Sequence, residues 1–538
     1  MPRKTKRGSL EAYRSKRSPG ATPEPFGGEG FERPGLFVVQ QHDATRMHWD
    51  LRLEIGGVMK SWAVPKGPSL DPEDKRLAVM TEDHPMEYAD FEGVIPEGNY
   101  GAGAMIVWDH GRCVQRLDPD EGLAEGKLLF DLYGYKLRGR FTLVKTSRGE
   151  NEWLLIKKPD GGATGETVEE LGPESVFSGL TVEELGRGAD REAEIETRLQ
   201  ALGAKRRRVD PGRVKLMLAR LADTPFSDPD WLFELKYDGY RVLASLDRGD
   251  GGRPVIRLAY RSGRDATAVY PDLVRALSAL PFSHLVLDGE VVVLDEEARP
   301  SFSLLQQRAR LTNPRDAERA SVALPAVLFC FDLLGFGDRD LRPLPLVERK
   351  ELLRDVVPRA GPVRFADHLP ERGEELYEQV RGVGVEGIVA KRADSPYRGG
   401  RSPHWLKVRA ERTGDFAVVG YTLPQGARPG FGALHLAALH GPRLVYAGRV
   451  GSGFSEKQLE EIRARLDTSR VAEPRFDDPP PRSSAHRWVE PQLVAEVKYT
   501  EYTADDLLRH PVFVRLRTDK RIEDCTRDDV PPPQIEES

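Results

Sequence analysis

Cysteine is scarce: Cys113, Cys330 and Cys525 are the only three in 538 residues, and they lie far apart. An odd, scattered set excludes a disulfide framework and offers no zinc-knuckle spacing. No run of about 18 uncharged apolar residues occurs, so no membrane-spanning helix is expected. The basic opening MPRKTKRGSL is followed by no apolar stretch, which argues against a secretory signal. A charge excess of one sign is also missing, with 80 Lys+Arg against 86 Asp+Glu and a formal net charge of −6. That balance excludes a uniformly basic nucleic-acid wrapper but leaves room for locally basic grooves. Glycine (52) and proline (41) are plentiful, which suits many turns and at least one linker. With 39% apolar side chains, ordinary cores can form, and the length predicts about three to five domains.

The chain reads as multidomain. Residues 1–26 are basic and punctuated by Pro and Gly, and read as a flexible arm. From Leu36 to Lys158 short alternating runs (LFVVQQH, WDLRLEI, AMIVWD, FTLVK) separated by turn residues predict an all-β, barrel-like domain over 1–158. Residues 159–210 read as a flexible linker, with a short charged helix near Glu192–Leu202. An α+β domain follows over 211–412. There WLFELKYDGYRVLASL reads as strands around a turn, HLVLDGEVVVLD as a strand pair and PDLVRALSAL as a helix. Residues 413–538 return to strands around a single clear helix, EKQLEEIRARLD.

The first constellation lies in the β domain. In a strand, His48, Asp50 and Arg52 share one face while Trp49, Leu51 and Leu53 share the other. An imidazole, a carboxylate and a guanidinium together suit a divalent metal beside a phosphate clamp. Glu82 and His84 repeat the acid–imidazole spacing, and Lys66 and Arg76 add cations. The runs FVVQQHDATRMHWDLRLEIGGVMKSWAVPKGPS and RLAVMTEDHPMEYADFEGVIPEGNYGAG resemble the 3′-phosphoesterase module of bacterial end-joining DNA ligases. The resemblance implies a Mn²⁺-dependent enzyme that removes 3′-phosphates and 3′-ribonucleotides. It implies metal ligation by His42, Asp50 and His84, and phosphate contacts from His48, Arg52 and Arg76. His48 and Glu82 would act catalytically, with Lys66 and Tyr88 as further candidates. The family commonly has an acid after a basic pair in its arm. Here the run is Lys16-Arg17-Ser18, which puts the ribonuclease step in question.

The second constellation starts at Lys236 in ELKYDGYR, after an apolar strand and before a glycine turn. A lysine nucleophile must lose its proton, which needs nearby cations, a metal or burial. Asp288-Gly289-Glu290, Phe331-Asp332, the run from Glu386 to Lys391, and Trp405-Leu406-Lys407-Val408-Arg409 follow in order. The set resembles the covalent nucleotidyltransferases, specifically ATP-dependent DNA ligases. That implies ATP, with Mg²⁺ or Mn²⁺, and AMP transfer to Lys236. Glu234 would read the adenine amino group, and Phe331 would stack on the base. Arg241 and Arg261 would hold ribose and phosphate. Glu290 and Glu386 would place metal, while Lys391, Lys407 and Arg409 would face phosphate. Tyr260 stands where the family often has Ser, and Arg409 where many members have Lys.

The last strands, LVAEVKYTEYT and RHPVFVRLRTDK, are similar to the ligase OB-fold domain, with Arg509, Arg517, Asp519 and Lys520 at the terminal motif. The whole resembles bacterial end-joining ligases in a phosphoesterase–ligase arrangement, with no region long enough between 160 and 210 for a polymerase. The resemblance implies DNA ends and nicks as substrates, a Ku homodimer as partner, a separate polymerase, a monomeric chain and a cytoplasmic, nucleoid-associated location. Two rival readings share part of the pattern: an RNA ligase or capping-type enzyme, and a non-catalytic end-binding scaffold.

Overall fold

The structure, a computed structural model, describes residues 9–18, 20, 22–28, 32–222, 224–249, 253–381, 385–409, 412–424, 429–500, 502–503, 505–518 and 520–527. Its contacts divide the chain into two compact units. One comprises Met1–Arg220, Asp230–Leu369 and Lys391–Leu406; the other Leu221–Pro229, Pro370–Ala390 and Lys407–Ser538.

The first unit begins with a barrel. Its strands are β1 (Leu36–Asp43), β2 (Met47–Ile55), β3 (Val58–Val64), β4 (Arg76–Met80), β5 (Gly93–Ile95), β6 (Gly103–Gln115), β7 (Lys127–Gly134), β8 (Arg138–Lys145) and β9 (Glu152–Lys157). The order β1-β2-β3-β4-β9-β8-β7-β6, with β6 pairing back onto β1, closes eight strands, and β5 adds to β6. Closure removes the unpaired edges that an open sheet would leave. Strand alternation sends Phe37, Val39, Leu51, Leu53, Trp62, Trp108, Phe130, Phe141 and Trp153 into one buried cluster. The antiparallel register then pairs Gln40 with Asp50, His42 with His48, and Arg52 with Ser61 on the opposite face.

Two segments expected to be flexible are packed. Within the arm, Glu11–Ser15 forms a short helix whose Tyr13 is fully buried against Tyr88, Phe91, Ile95 and Met105. Residues 1–8 of that arm lie outside the described residues. The 159–210 segment places Val168 in the barrel core, and Val176, Phe177, Ile195 and Leu199 in the core of the following domain. Its helices Val182–Gly186 and Arg191–Ala201 are capped by Thr181 and Asp190. Apolar residues dispersed among Gly, Glu and Arg hid this burial from a compositional reading.

Next comes a sheet in the order Lys205–Arg206, Arg339–Asp340, Ala326–Phe336, His284–Val293, Tyr240–Asp247, Val255–Tyr260, with Val363–Phe365 parallel to Ala326–Phe336. HLVLDGEVVV is one continuous strand, not a pair. Gly289 sits mid-strand because a Cβ there would meet the Phe329 carbonyl oxygen at 2.7 Å, a close-approach role rather than a turn. Trp231–Leu235 and Tyr240–Asp247, read as one strand–turn–strand run, belong to different sheets. The helices Phe302–Ala309, Pro314–Ala323 and Leu346–Val356 were not anticipated. The last of these buries Arg349 and Lys350 beside Leu346, Leu352, Leu353 and Val356, so charge interrupts its apolar stripe.

The C-terminal part of the second unit carries a sheet in the order Arg443–Val450, Leu434–His440, Arg412–Thr422, His486–Tyr499, Arg470–Val471, with Val512–Arg517 also on His486–Tyr499. The helix Glu456–Asp467 starts at a Ser455/Gln458 capping box and buries Leu459, Ile462 and Leu466. Among the described residues, no helix is long and apolar enough to cross a membrane.

Candidate active sites

On the outer face of β1 and β2, ligand atoms of His42, His48 and Asp50 lie within 4.8 Å of one another. His42 Nδ1 is 4.0 Å and His48 Nε2 3.7 Å from opposite oxygens of Asp50. The other nitrogen of each ring is held by a backbone carbonyl, His42 Nε2 by Gly101 and His48 Nδ1 by Arg46, both at 2.9 Å. Such outer bonds fix ring orientation and tautomer in metal sites. Burial pushes His42 below the ordinary imidazole pKa, keeping a lone pair available. This N/N/O donor set fits a divalent transition metal.

Of the expected ligand trio, His42 and Asp50 fall in this group. His48 joins them, and His84 lies on the adjoining stretch of the same face, bonded to Arg52. His84 Nδ1 lies 3.1 Å from Arg52 Nη1, 3.2 Å from Ser61 Oγ and 2.8 Å from the Glu82 carbonyl. Burial first, then the Arg52 charge, drives His84 well below its usual pKa. Arg52, expected to clamp phosphate, is 2% exposed. It donates to Gln40 (2.7 Å), Ser61 (2.9 Å) and Asp50 (2.9 Å), and its guanidinium lies over Tyr88. In this structure Arg52 holds Asp50 in place. Arg76 donates to Asp74 at 2.6 Å, and strand alternation puts it on the side of Ala78, in the barrel core, away from Asp50. Lys66 is exposed in the turn after β3.

Residues of the arm complete this face. Lys16 and Arg17 reach the two oxygens of Glu82 at 3.0 and 3.2 Å. Burial opposes ionisation of Glu82, but its own backbone N–H, Lys16 and Arg17 outweigh it and hold the carboxyl below its ordinary pKa. Glu24 accepts from Arg17 Nε and the Tyr88 hydroxyl, each at 2.9 Å. Sequence reasoning missed Glu24, whose only signal was an acid between prolines a few residues beyond Ser18.

In the second constellation Lys236 is half-buried directly after the strand Trp231–Leu235. Glu234, two residues earlier, is 3% exposed. Its oxygens meet Lys350 Nζ and Lys391 Nζ, each at 2.6 Å. Burial opposes its charge, yet the two lysines pull its pKa below the usual value. A carboxylate offers about four acceptor sites, so the lysines leave capacity for another donor. Burial pushes Lys391 down to about 8. Its Nζ is close enough to Glu234 for an ion pair but is not aligned as a directed hydrogen bond. The same Nζ lies over the rings of Phe331 (4.0 Å) and Trp405 (4.3 Å). Lys350, which also donates to the Ala366 carbonyl, was missed because it lies on the buried side of its helix.

Arg241 is cross-strand from Glu290 and makes a bidentate pair with Asp288 at 2.9 and 2.7 Å. The Tyr397 hydroxyl donates to Asp288 at 2.6 Å, and the Arg241 guanidinium lies over Phe331. Tyr397 is a further residue that sequence reasoning missed. Arg261 is exposed in the turn after Val255–Tyr260, its backbone N–H donating to the Arg241 carbonyl. Thus Glu234, Lys350, Lys391, Phe331, Arg241 and Asp288 form one connected group near Lys236.

Of the remaining predicted residues, Glu386 and Lys407 are half-buried and Arg409 is exposed, all in the second unit. Also in that unit, Arg517 reaches Asp415 (3.4 Å) and Glu496 (3.5 Å), and Lys520 lies 3.9 Å from Asp415. Asp519 lies outside the described residues.

Three family descriptions match the chain: the DNA ligase D 3′-phosphoesterase domain over residues 40–145, the ATP-dependent DNA ligase domain over 216–409, and the ATP-dependent DNA ligase C-terminal region over 427–520. A "Multifunctional non-homologous end joining protein LigD" of Pseudomonas aeruginosa is 41% identical across 97% of this chain and 62% of its own length. A "Multifunctional non-homologous end joining DNA repair protein LigD" of Mycobacterium tuberculosis is 34% identical across 96% of this chain and 61% of its own. The chain therefore spans about three-fifths of the length of these relatives. The solved ligase domain of the M. tuberculosis LigD is 34% identical over 60% of this chain and 100% of that domain, with a TM-score of 0.34. The chain thus carries, in that order, a match to the DNA ligase D 3′-phosphoesterase domain and a match to the ATP-dependent DNA ligase domain, and is similar along nearly its whole length to these ligase D proteins.

Proposed function

We propose that this protein is a bacterial DNA end-joining repair enzyme that trims 3′ ends and seals nicks through a lysyl-AMP intermediate made from ATP. The observation that carries the reading is the coexistence in one chain of the His42/His48/Asp50 donor set and the Lys236 group built on Glu234, Lys350, Lys391, Arg241 and Phe331. We keep the domain reading of 1–158, 159–210, 211–412 and 413–538, with 413–538 as an OB-fold that closes around a nucleic-acid end.

At the phosphoesterase site, a divalent metal, Mn²⁺ in this reading, would supply Lewis-acid stabilisation of charge on the transferring phosphoryl group. Arg52 keeps Asp50 aimed at the histidines, and the bonds from Gly101 and Arg46 fix the rings. Glu82, held ionised by Lys16 and Arg17, orients groups beside them. The product is a clean 3′-OH.

At the ligase site, Lys236 Nζ attacks the α-phosphorus of ATP. A P–N bond forms and pyrophosphate leaves. A DNA 5′-phosphate oxygen then attacks that phosphorus, breaking the P–N bond. Finally the 3′-OH attacks the 5′-phosphorus and AMP departs. Glu234 reads the adenine amino group, Phe331 stacks on the base, and Lys391, Lys407 and Arg409 neutralise phosphate charge, with Glu290 and Glu386 placing Mg²⁺ or Mn²⁺. Arg261 assists at the ribose, and Arg517 and Lys520 orient the leaving pyrophosphate. We assign DNA ends and nicks as substrates, a Ku homodimer as partner, gap filling by a polymerase activity outside these domains, a monomeric state and a cytoplasmic location.

The test is labelling with α-³²P ATP and, separately, GTP, after stripping any resident AMP with pyrophosphate. Label from ATP that is chased by nicked DNA and lost in Lys236→Ala is the expected result. Label from GTP alone would move the chain to capping chemistry. No label from either would leave only the phosphoesterase half, in which His42, Asp50 and His84 would hold the metal, itself tested by loss of 3′-phosphate release in His42→Ala and His84→Ala.

A further inference from the structure

A cavity of about 400 Å³ lies within the first unit, walled by the barrel on one side and the nucleotidyltransferase sheet on the other. Arg138 reaches it from β8 and Arg364 from the strand Val363–Phe365. Among the described residues, Arg138 donates only through Nε to the Gly134 carbonyl, and Arg364 only through Nε to the Gly361 carbonyl. The outer N–H groups of both guanidiniums therefore find no acceptor among the described residues. Both guanidiniums are half-buried on one cavity, and none of its four carboxylates, Asp272, Asp295, Glu296 and Glu297, is bonded to either, an arrangement that favours an anion between them.

The other polar groups of the cavity add to this. His110, 7% exposed, and Arg275 also line the cavity, with His110 Nε2 and Arg275 Nε 3.8 and 3.7 Å from the oxygens of Asp90. Burial pushes His110 down to about 3, so the ring stays neutral and can bond without a charge penalty. Burial, with the like charge of Arg138 adding to it, also pulls Arg364 below its ordinary pKa. The acids of the lining are already engaged: Asp272 by Arg308, Glu296 by Arg112, and Asp295 and Glu297 by Arg299. Tyr135 and Phe177 supply aromatic wall, and the volume falls in the range of small-molecule sites.

From these groups we infer that the cavity binds a nucleoside monophosphate, its phosphate bridging Arg138 and Arg364 and its base lying against Tyr135 and Phe177. Guanidinium forks match phosphate oxygens in paired geometry. The site is separate from both candidate active sites. The Arg364 guanidinium lies 5.4 Å from the Tyr135 ring and 5.6 Å from the Phe329 ring. Phe329 stacks on Tyr237, the neighbour of Lys236, at 4.2 Å. AMP is a product of the sealing chemistry proposed above, so occupancy would rise as nicks close. That use rests on the ligase reading; the binding does not.

The experiment is equilibrium dialysis of the full chain with radiolabelled AMP, comparing wild type, Arg138→Met and Lys236→Ala. Wild type should hold one more AMP per chain than Arg138→Met, and Lys236→Ala should keep that equivalent. Equal uptake by wild type and Arg138→Met would overturn the proposal. In wild type alone, AMP should slow hydrogen exchange across residues 133–138 and 362–365, and unchanged exchange would overturn it whatever the variants do. Adenosine should bind at least about tenfold more weakly than AMP, the scale of losing one charge-assisted contact. Adenosine binding as tightly as AMP would show that the guanidinium pair is not the recognition element. Inorganic phosphate as potent as AMP would overturn the assignment to a nucleotide.

Discussion

Arg349 and Asp332 are both 0% exposed and joined by two bonds of 2.7 and 2.9 Å. Arg349 also donates to the carbonyls of Leu344 and Ser395. Replacing Arg349 with Met keeps much of the volume but leaves a carboxylate and two carbonyls buried without that partner. Breaking a buried pair from one side costs about 3–5 kcal/mol. For a domain of this size that is a fall in melting temperature of roughly 6–20 °C. Because the chain holds two units, a single global unfolding energy is not well defined. The better assay is native-state hydrogen exchange at the strand Ala326–Phe336, which carries Asp332. The double variant Arg349→Met/Asp332→Leu removes both charges and should recover at least half the loss, since an apolar pair can replace a buried ion pair at little cost. A single-variant change below about 1 kcal/mol, or a double variant no more stable than the single, would refute the argument from uncompensated charge.

Arg52→Met should weaken Mn²⁺ binding about 10- to 100-fold by releasing Asp50, as loss of a residue behind a metal ligand does; calorimetric titration of metal into the protein checks it, and unchanged affinity would mean that Arg52 does not position the carboxylate. Gly289→Ala should destabilise the sheet by about 1–3 kcal/mol, because its Cβ would meet the Phe329 oxygen at 2.7 Å and Leu328 at 2.8 Å; denaturant midpoints followed by sheet fluorescence measure it. Asp109 is fully buried and accepts from the backbone N–H groups of His110, Tyr135, Lys136 and Leu137. Burial nonetheless raises its pKa to about 6. A carboxyl raised on folding contributes stability that is complete below its unfolded pKa and is lost as pH rises through about 6. The stability advantage of wild type over Asp109→Asn should therefore grow as pH falls from 7 to 4, and a flat difference in paired melts would contradict the assignment.

The metal-face residues were legible because strand geometry is periodic. Alternation alone puts His48, Asp50 and Arg52 together, and the residues there carried their chemistry in plain type. The order Lys236, Glu290, Phe331, Glu386, Lys391, Lys407 was equally open, since a nucleophile and spaced charges can be recognised without knowing what they touch. Alternation could not say which imidazole reaches Asp50. His42 and His48 come within 4.0 Å of Asp50, while Arg52 bonds both Asp50 and His84, because β1, β2 and β3 pair in the register that seats it there.

Other features became visible only in three dimensions. Lys350 reads as one more charge in LVERKELL, yet the helix turns it onto Glu234, 116 positions earlier in the chain. Residues 159–210 look like a linker by composition, but Val168, Phe177 and Leu199 each find a core contributed by distant strands. Arg138 and Arg364 meet across one cavity because a barrel and a sheet pack within a single unit. Sequence by itself determined which chemical groups are available and how they repeat along each element. Tertiary structure decided which charges meet and which remain unpaired, because burial and proximity arise from long-range packing that no local period encodes.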